Sequence, residues 1–225
     1  MSNVQFQGPA GRIEGRYVKS DIPNAPIALI LHPHPKFGGT MNNKVVYNLF
    51  DTFRKQGFSV LRFNFRGVGM SDGEYDNGIG ELSDAASAMD WLQNMNKDSN
   101  ECWVAGFSFG SWIGMQLLMR RPEIQGFISV APPANMFDFN FLAPCPSSGL
   151  IVSGTDDKIV PHNYVVKLYE KLKIQKRITV EHNIIEDAGH FFDGHLDILS
   201  EVCVDYLKSR RVGVGNNFLA ELGIE

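Results

Sequence analysis

Three side chains in this chain, a serine, a histidine and an aspartate, stand in an order that could activate a hydroxyl for attack on a carbonyl. Ser108 lies in Gly106-Phe107-Ser108-Phe109-Gly110, after the apolar run Trp103-Val104-Ala105 and before the helical pattern Trp112-Ile113-Met115-Gln116-Leu117-Leu118. Gly-x-Ser-x-Gly between a strand and a helix is the spacing of a nucleophile elbow. The chain must reverse within a few residues and hold the serine in a strained conformation. The positions two before and two after then lie close together, where glycine alone avoids a clash. Such a turn thrusts the hydroxyl out above the sheet and aims the amide of Phe109 at the same spot. A glycine-rich turn with an incidental serine is the blander alternative. It is weakened because a strand and a helix both stand where the motif needs them.

A serine hydroxyl is a poor nucleophile unless a base takes its proton, and that base needs an orienting carboxylate. In a sheet built from alternating strands and helices, ligands bind at the carboxyl ends of the strands. Two stretches follow strand-like runs in that way: Gly154-Thr155-Asp156-Asp157-Lys158-Ile159-Val160-Pro161 and Glu186-Asp187-Ala188-Gly189-His190-Phe191-Phe192. The order serine, acid, histidine is the one expected after such an elbow. Asp156 and Asp157 could each simply form a turn. Asp157 has the better spacing to Val160-Pro161. His190, between Gly189 and two phenylalanines, suits a ring held against a packed wall. His32-Pro33-His34 offers a metal-ligand spacing without a supporting third ligand, so no metal is expected. His162, His182 and His195 read as surface residues. Phe137, Phe139 and Phe141 read as core or rim packing rather than an acyl pocket.

The elements that must position these groups alternate along the chain. Val4–Phe6 and Arg12–Val18 read as a pair of strands about the turn Gly8-Pro9-Ala10-Gly11. Ile27–Leu31 is continuously apolar, as a strand buried on both faces should be. Helical spacing over Asn43–Gln56, stopped by Gly57, precedes a strand at Ser59–Phe65 and the loop Arg66–Gly73. A helix over Glu81–Met95 leads to the strand that ends at the elbow. Strands follow at Gly126–Val130 and Gly149–Ser153, then a helix over His162–Lys173, a last strand within Arg177–Ile185 and a last helix over Asp197–Lys208. This alternation predicts βαβ units and a mostly parallel sheet. The expected organisation is one domain over residues 1–210 and a C-terminal tail over 211–225, with one or two turns at Phe218–Leu222.

With these motifs in place, the chain resembles the α/β-hydrolase superfamily, in its small, lidless, dienelactone-hydrolase-like serine hydrolase branch. The resemblance runs from about Val4 to Lys208. It rests on the elbow, on Gly154-x-x-Asp157-x-x-Val160-Pro161, on Ala188-Gly189-His190-Phe191-Phe192 and on Phe65-Arg66-Gly67-Val68-Gly69-Met70-Ser71-Asp72-Gly73. It implies an α/β fold with helices on both faces of the sheet and no cap domain, with Ser108 as nucleophile, His190 as general base and Asp157 as orienting acid. The chain departs from the family pattern in carrying His32-Pro33-His34-Pro35 where His-Gly is usual. It also has a serine where dienelactone hydrolases proper use cysteine, which points to an ester. The second oxyanion donor should come from the loop after the third strand. Pro33 and Pro35 have no N–H, so the amide of His34 is the nearest candidate beside that of Phe109, with Lys36 or Phe37 as fallbacks.

The expected activity is hydrolysis of a small or accessible carboxylic ester through an acyl-enzyme, without a cofactor. Thioesters or peptides could be handled by the same triad, and a non-catalytic binding protein on the same scaffold would show a broken one. Bulk properties narrow the partners. A net charge of −4 gives no basic footprint for nucleic acid. No apolar run reaches the length of a membrane span, and Met1–Gln5 lacks a basic and then apolar signal pattern. Three scattered cysteines suggest neither disulfides nor zinc, which makes a reduced cytoplasmic protein the default. Between the strands ending at Val130 and starting near Gly149, the prolines 132, 133, 144 and 146 interrupt a short segment. That segment is too broken for a helical lid, so an open site with modest acyl-length preference is expected.

Overall fold

A computed structural model describes residues 1–221 of the chain, with side chains to residue 210. The strands are β1 (Ser2–Gly8), β2 (Gly11–Val18), β3 (Ile27–Leu31), β4 (Ser59–Phe63), β5 (Cys102–Phe107), β6 (Ile124–Val130), β7 (Ser148–Gly154) and β8 (Val180–Ile185). The helices are α1 (Lys44–Lys55), α2 (Ile79–Met95), α3 (Phe109–Leu118), α4 (His162–Lys173) and α5 (Leu196–Glu221). One sheet takes all eight strands in the order β1-β2-β4-β3-β5-β6-β7-β8. β1, β2 and β4 pair antiparallel, and every pairing from β4 through β3 to β8 is parallel.

The continuous apolar runs are explained by helices on both faces. Along β3, Leu29 and Leu31 face the core beneath α2, α3 and α4, while Ala28 and Ile30 face α1 and α5. Side chains in a strand alternate between faces, so a strand covered on both sides needs apolar residues at every position. α1 presents Val45, Val46, Leu49, Phe50 and Phe53 inward, and each such side chain contributes about 1.5–3 kcal/mol on burial.

The chain leaves β3 outward to β4, then returns past β3 to build β5 on its other side. Strand order therefore reverses between β3 and β5, and the crevice at their carboxyl ends is where such a sheet binds ligands. Residues 131–147 contain no helix, so no cap covers this end. No described helix is long and apolar enough to cross a membrane.

Several boundaries differ from the sequence expectation. The strand expected to reach Phe65 stops at Phe63, because the amide of Asn64 turns to Glu14 and that of Phe65 to His32. α2 begins at Ile79, since Glu81 reaches back to the amides of Asp76 and Gly78. The last helix starts at Leu196 and is assigned to Glu221. The expected tail over 211–225, with its turns at Phe218–Leu222, lies outside the residues whose side chains are described.

The loop after β4 is tied to α2 by a buried ion pair. The guanidinium of Arg66 donates to Asp84 at 2.9 and 2.7 Å, and the Arg66 amide donates at 3.0 Å. Removing Asp84 leaves the largely buried guanidinium with only the more distant Asp76 at 4.0 Å. Asp84→Ala should therefore cost about 3 kcal/mol and lower Tm by about 6–12 °C. A thermal scan showing a drop under about 2 °C would contradict that account.

Candidate active site

Ser108 joins β5 to α3 with φ 53° and ψ −121°, a conformation that L side chains rarely adopt. Holding it costs on the order of 1–3 kcal/mol. Several local bonds offset that cost. The Ser108 amide donates to the carbonyl of Val130 at 2.8 Å, and its carbonyl accepts from the amide and hydroxyl of Ser111 at 2.9 and 2.6 Å. A side chain at Gly106 would overlap the backbone of Gly110 and Ser111, and one at Gly110 would overlap the carbonyls of Leu31 and His32. The second approach presses the first turn of α3 against the end of β3.

Asp157 and His190 sit on the loops after β7 and β8, and those loops are bonded to each other. The Thr155 amide donates to the Ile185 carbonyl, Asp156 to that of Ala188, and the Asp187 amide to the Thr155 hydroxyl. Gly154 is bare because the Ala188 carbonyl occupies the place of a side chain. Both functional side chains are buried. His190 Nδ1 lies 2.7 Å from Asp157 Oδ2, and His190 Nε2 lies 3.1 Å from Ser108 Oγ. Asp157 Oδ1 accepts the amides of Ile159 and Val160 at 2.9 and 2.8 Å. With the carboxylate on Nδ1, the ring carries its proton there and turns a lone pair on Nε2 toward Ser108. The ring rests on Phe107 at 4.9 Å and against Phe191 at 5.2 Å. Phe192 is buried in the core instead. Asp156 is exposed and pairs with Lys158, so the two aspartates have separate environments.

The loop after β3 is organised by His32. Its Nε2 accepts the Phe65 amide at 3.0 Å and its Nδ1 donates to the Pro33 carbonyl at 2.6 Å. Full burial pushes its pKa down to about 4. With both ring nitrogens engaged, His32 offers no lone pair to a metal, and no described cluster of three or more His, Cys, Asp or Glu is placed to hold one. Next along, the His34 ring packs among Phe37, Tyr75 and Phe109 at 4.7, 4.9 and 5.0 Å. Its Nδ1 accepts the Lys36 amide at 3.2 Å and its Nε2 lies 3.1 Å from the Tyr75 hydroxyl. Burial and the charge of Lys36 both hold its pKa below the usual value. The fallback amides are committed, Lys36 to His34 Nδ1 and Phe37 to the His34 carbonyl. The amides of His34 and Phe109 have no protein acceptor among the described residues.

Ser108, His190, His34 and Phe109 line one open cavity of about 540 Å³, whose walls are otherwise mostly apolar. Phe137 lines it too, while its ring packs on Trp112 at 4.3 Å and on Phe109 at 5.8 Å. Phe139 does lie in the core, with Phe141 against it. Two histidines expected at the surface are half-buried. His162 Nδ1 and His182 Nε2 lie 3.2 and 2.8 Å from Ser153 Oγ, and burial pushes the His182 pKa down to about 4. Sequence reasoning also passed over Ser111, which fixes the elbow carbonyl, and Tyr75, which holds the His34 ring.

An open sheet with a strained serine at the β5–α3 turn, faced by a histidine from the loop after β8, defines a lidless α/β serine hydrolase. The family model for the α/β-hydrolase fold matches residues 30–147, and the chain belongs to that family. An α/β hydrolase of unknown function from Agrobacterium tumefaciens is 61% identical over 94% of this chain and 97% of its own, with a TM-score of 0.92. Uncharacterized protein RP471 of Rickettsia prowazekii is 51% identical over 92% of this chain and 89% of its own. XC6422 from Xanthomonas campestris, described as an α/β serine hydrolase without a lid, is 32% identical over 89% of this chain and 90% of its own, with a TM-score of 0.79.

His32 gives this site a pH-dependent support. Its folded pKa, about 4, lies below the ordinary 6.5, so the unfolded chain binds a proton that the folded chain refuses. Stability is then full above about pH 6.5 and falls as the pH drops toward 4, by about 1.4 kcal/mol per unit from this group. Between pH 7 and pH 4.5, His32→Asn should lose about 2–3 kcal/mol less stability than the wild type. Urea midpoints at the two pH values measure the difference, and equal losses would refute the assignment.

Proposed function

We propose that the protein is a serine esterase that hydrolyses a small or accessible carboxylic ester through an acyl-enzyme. The observation that carries this reading is the hydrogen-bonded line from Asp157 through His190 to Ser108, opening on an apolar cavity. Ser108 Oγ attacks the carbonyl carbon while His190 Nε2 takes its proton. Asp157 keeps the ring in the Nδ1–H tautomer and stabilises the imidazolium that forms. The amides of Phe109 and His34 hold the oxyanion of the tetrahedral intermediate. His190 then returns the proton to the leaving alkoxide. Water, deprotonated by the same nitrogen, releases the acid and restores Ser108. The main chain and these three side chains supply every proton and charge the sequence needs, so no cofactor enters it.

The test uses aryl esters of graded acyl length, with a thioester and an aminoacyl amide alongside. The wild type should cleave the esters and be labelled by a fluorophosphonate. Ser108→Ala should lose on the order of a millionfold in kcat, by analogy with triad knockouts, and should not label. Clean Ser108→Ala protein that keeps a tenth of the wild-type rate would end the proposal.

The oxyanion donor has its own pair of variants. His34→Ala keeps the amide and should lose under about tenfold in kcat, whereas His34→Pro deletes it and should lose roughly 10²–10³-fold. Matching circular dichroism is the condition for reading the comparison. Equal losses would assign the work to the imidazole.

A further inference from the structure

The cavity beside Ser108 changes character between its wall and its mouth. Apart from the imidazoles of His34 and His190, none of its lining side chains is ionisable. A charged group inside would be stripped of water without a counter-charge, which is costly. The part of a substrate that fills this space is therefore uncharged and apolar. At the mouth, four large apolar side chains stand open to solvent: Phe37 at 85%, Met136 at 53%, Ile159 at 46% and Phe191 at 40%. Exposed apolar side chains clustered around a cavity mark a surface meant to be covered. An apolar chain leaving the cavity would lie across them.

The charges beside that rim are lysines. Lys36 precedes Phe37, Lys158 precedes Ile159, and Lys44 lies 5.7 Å above the ring of Phe191. Two of the three are neutralised, Lys44 by Asp193 and Lys158 by Asp156. Lys36 differs. Its ammonium stands 5.1 Å over the ring of Tyr75, and it has no carboxylate partner among the described residues. Glu74 and Asp76, which flank Tyr75, are beyond ion-pair distance of it; Asp76 is turned toward Arg66 at 4.0 Å. The field of Lys36 reaches the site, because it is one of the two causes that hold the His34 pKa down. Lys36 does not itself line the cavity, but among the described residues its charge has no carboxylate partner, and it stands in the loop that carries a proposed oxyanion donor.

We infer that the site takes esters joining an apolar acyl chain to an anionic leaving group, and that Lys36 selects for the anion. The inference rests on the esterase reading above and deepens it. The acyl chain occupies the uncharged cavity, so the charge must travel on the part that stays at the rim. There Lys36 attracts it on approach and through the transition state. Such a substrate is an amphiphilic monoester whose alcohol carries a carboxylate or a phosphate. The reaction releases a fatty acid and a hydroxylated anion, with water as the only co-reactant.

The probes are the butanoyl esters of 4-hydroxybenzoate, which is anionic, and 4-hydroxybenzamide, which is neutral, with their uncatalysed reactivities divided out. The wild type should show the higher kcat/KM on the anionic ester, and added salt should shrink the advantage by screening. Lys36→Gln should reduce the anionic-to-neutral ratio by roughly threefold, the scale of one exposed charge contact. Lys97→Gln, in the connection between α2 and β5, removes the same net charge far from the mouth and should leave the ratio as it is. A wild-type ratio at or below one, or a ratio unchanged in Lys36→Gln, would overturn the inference. Hydrolysis of both esters that persists in Ser108→Ala would instead overturn the esterase reading itself.

Discussion

The close approach of α3 to the end of β3, over a glycine that has nothing to interpose, sets the geometry on which the site depends. With a side chain at position 110, the first turn of α3 would have to lift away from the carbonyls of Leu31 and His32. The free amide of Phe109 belongs to that turn, and that of His34 to the loop continuing β3. Their separation is governed by this single contact. Ser108 pays for it with a strained backbone, and Val130 and Ser111 return part of that cost through three hydrogen bonds. Both partners are themselves on elements that flank β5, so the strain is carried by the centre of the sheet, where packing on two faces leaves least room for relaxation.

A second constraint is that Asp157 and His190 are delivered as one unit. The loops after β7 and β8 are stitched by two backbone bonds and one to the Thr155 hydroxyl, before Asp157 and His190 are considered. Asp157 spends one carboxylate oxygen on the amides of Ile159 and Val160 and turns the other to His190. Its own loop therefore fixes its rotamer, and the histidine inherits that orientation. Ser153, held between His162 and His182, ties the same loop at both of its ends to β8. Asp157 and His190 are thus held by the contacts of their own loops, with no cap over them.

Much of this was legible in the sequence because each part leaves a local mark. The elbow requires glycines at fixed offsets, the buried strands require unbroken apolar runs, and the two loops follow those runs directly. Asp157 was separable from Asp156 by its spacing to Val160-Pro161, which reflects the turn that its carboxylate closes. The contacts that sequence reasoning passed over join residues distant in the chain through single polar atoms. Tyr75 and His34, Arg66 and Asp84, and Ser153 and its two histidines obey no period, and their residue types are common on surfaces. Phe137, Phe139 and Phe141, spaced two apart, would share one side of an extended segment, but here the segment is irregular, and Phe137 lines the cavity while Phe139 enters the core.

The bare mouth has an evolutionary side. Met136 and Ile159 stand on loops and project into solvent, so replacing one disturbs little of the packed interior. Exposed substitutions of that kind usually change stability by no more than about 0.5 kcal/mol. Proteins live close to the stability threshold below which they are lost, and a change of diet that drew on the core would soon cross it. Here the residues proposed to meet the substrate and those that carry the scaffold are separate. Descendants of this chain could drift from one substrate to another while their catalytic machinery and their fold stayed where they were.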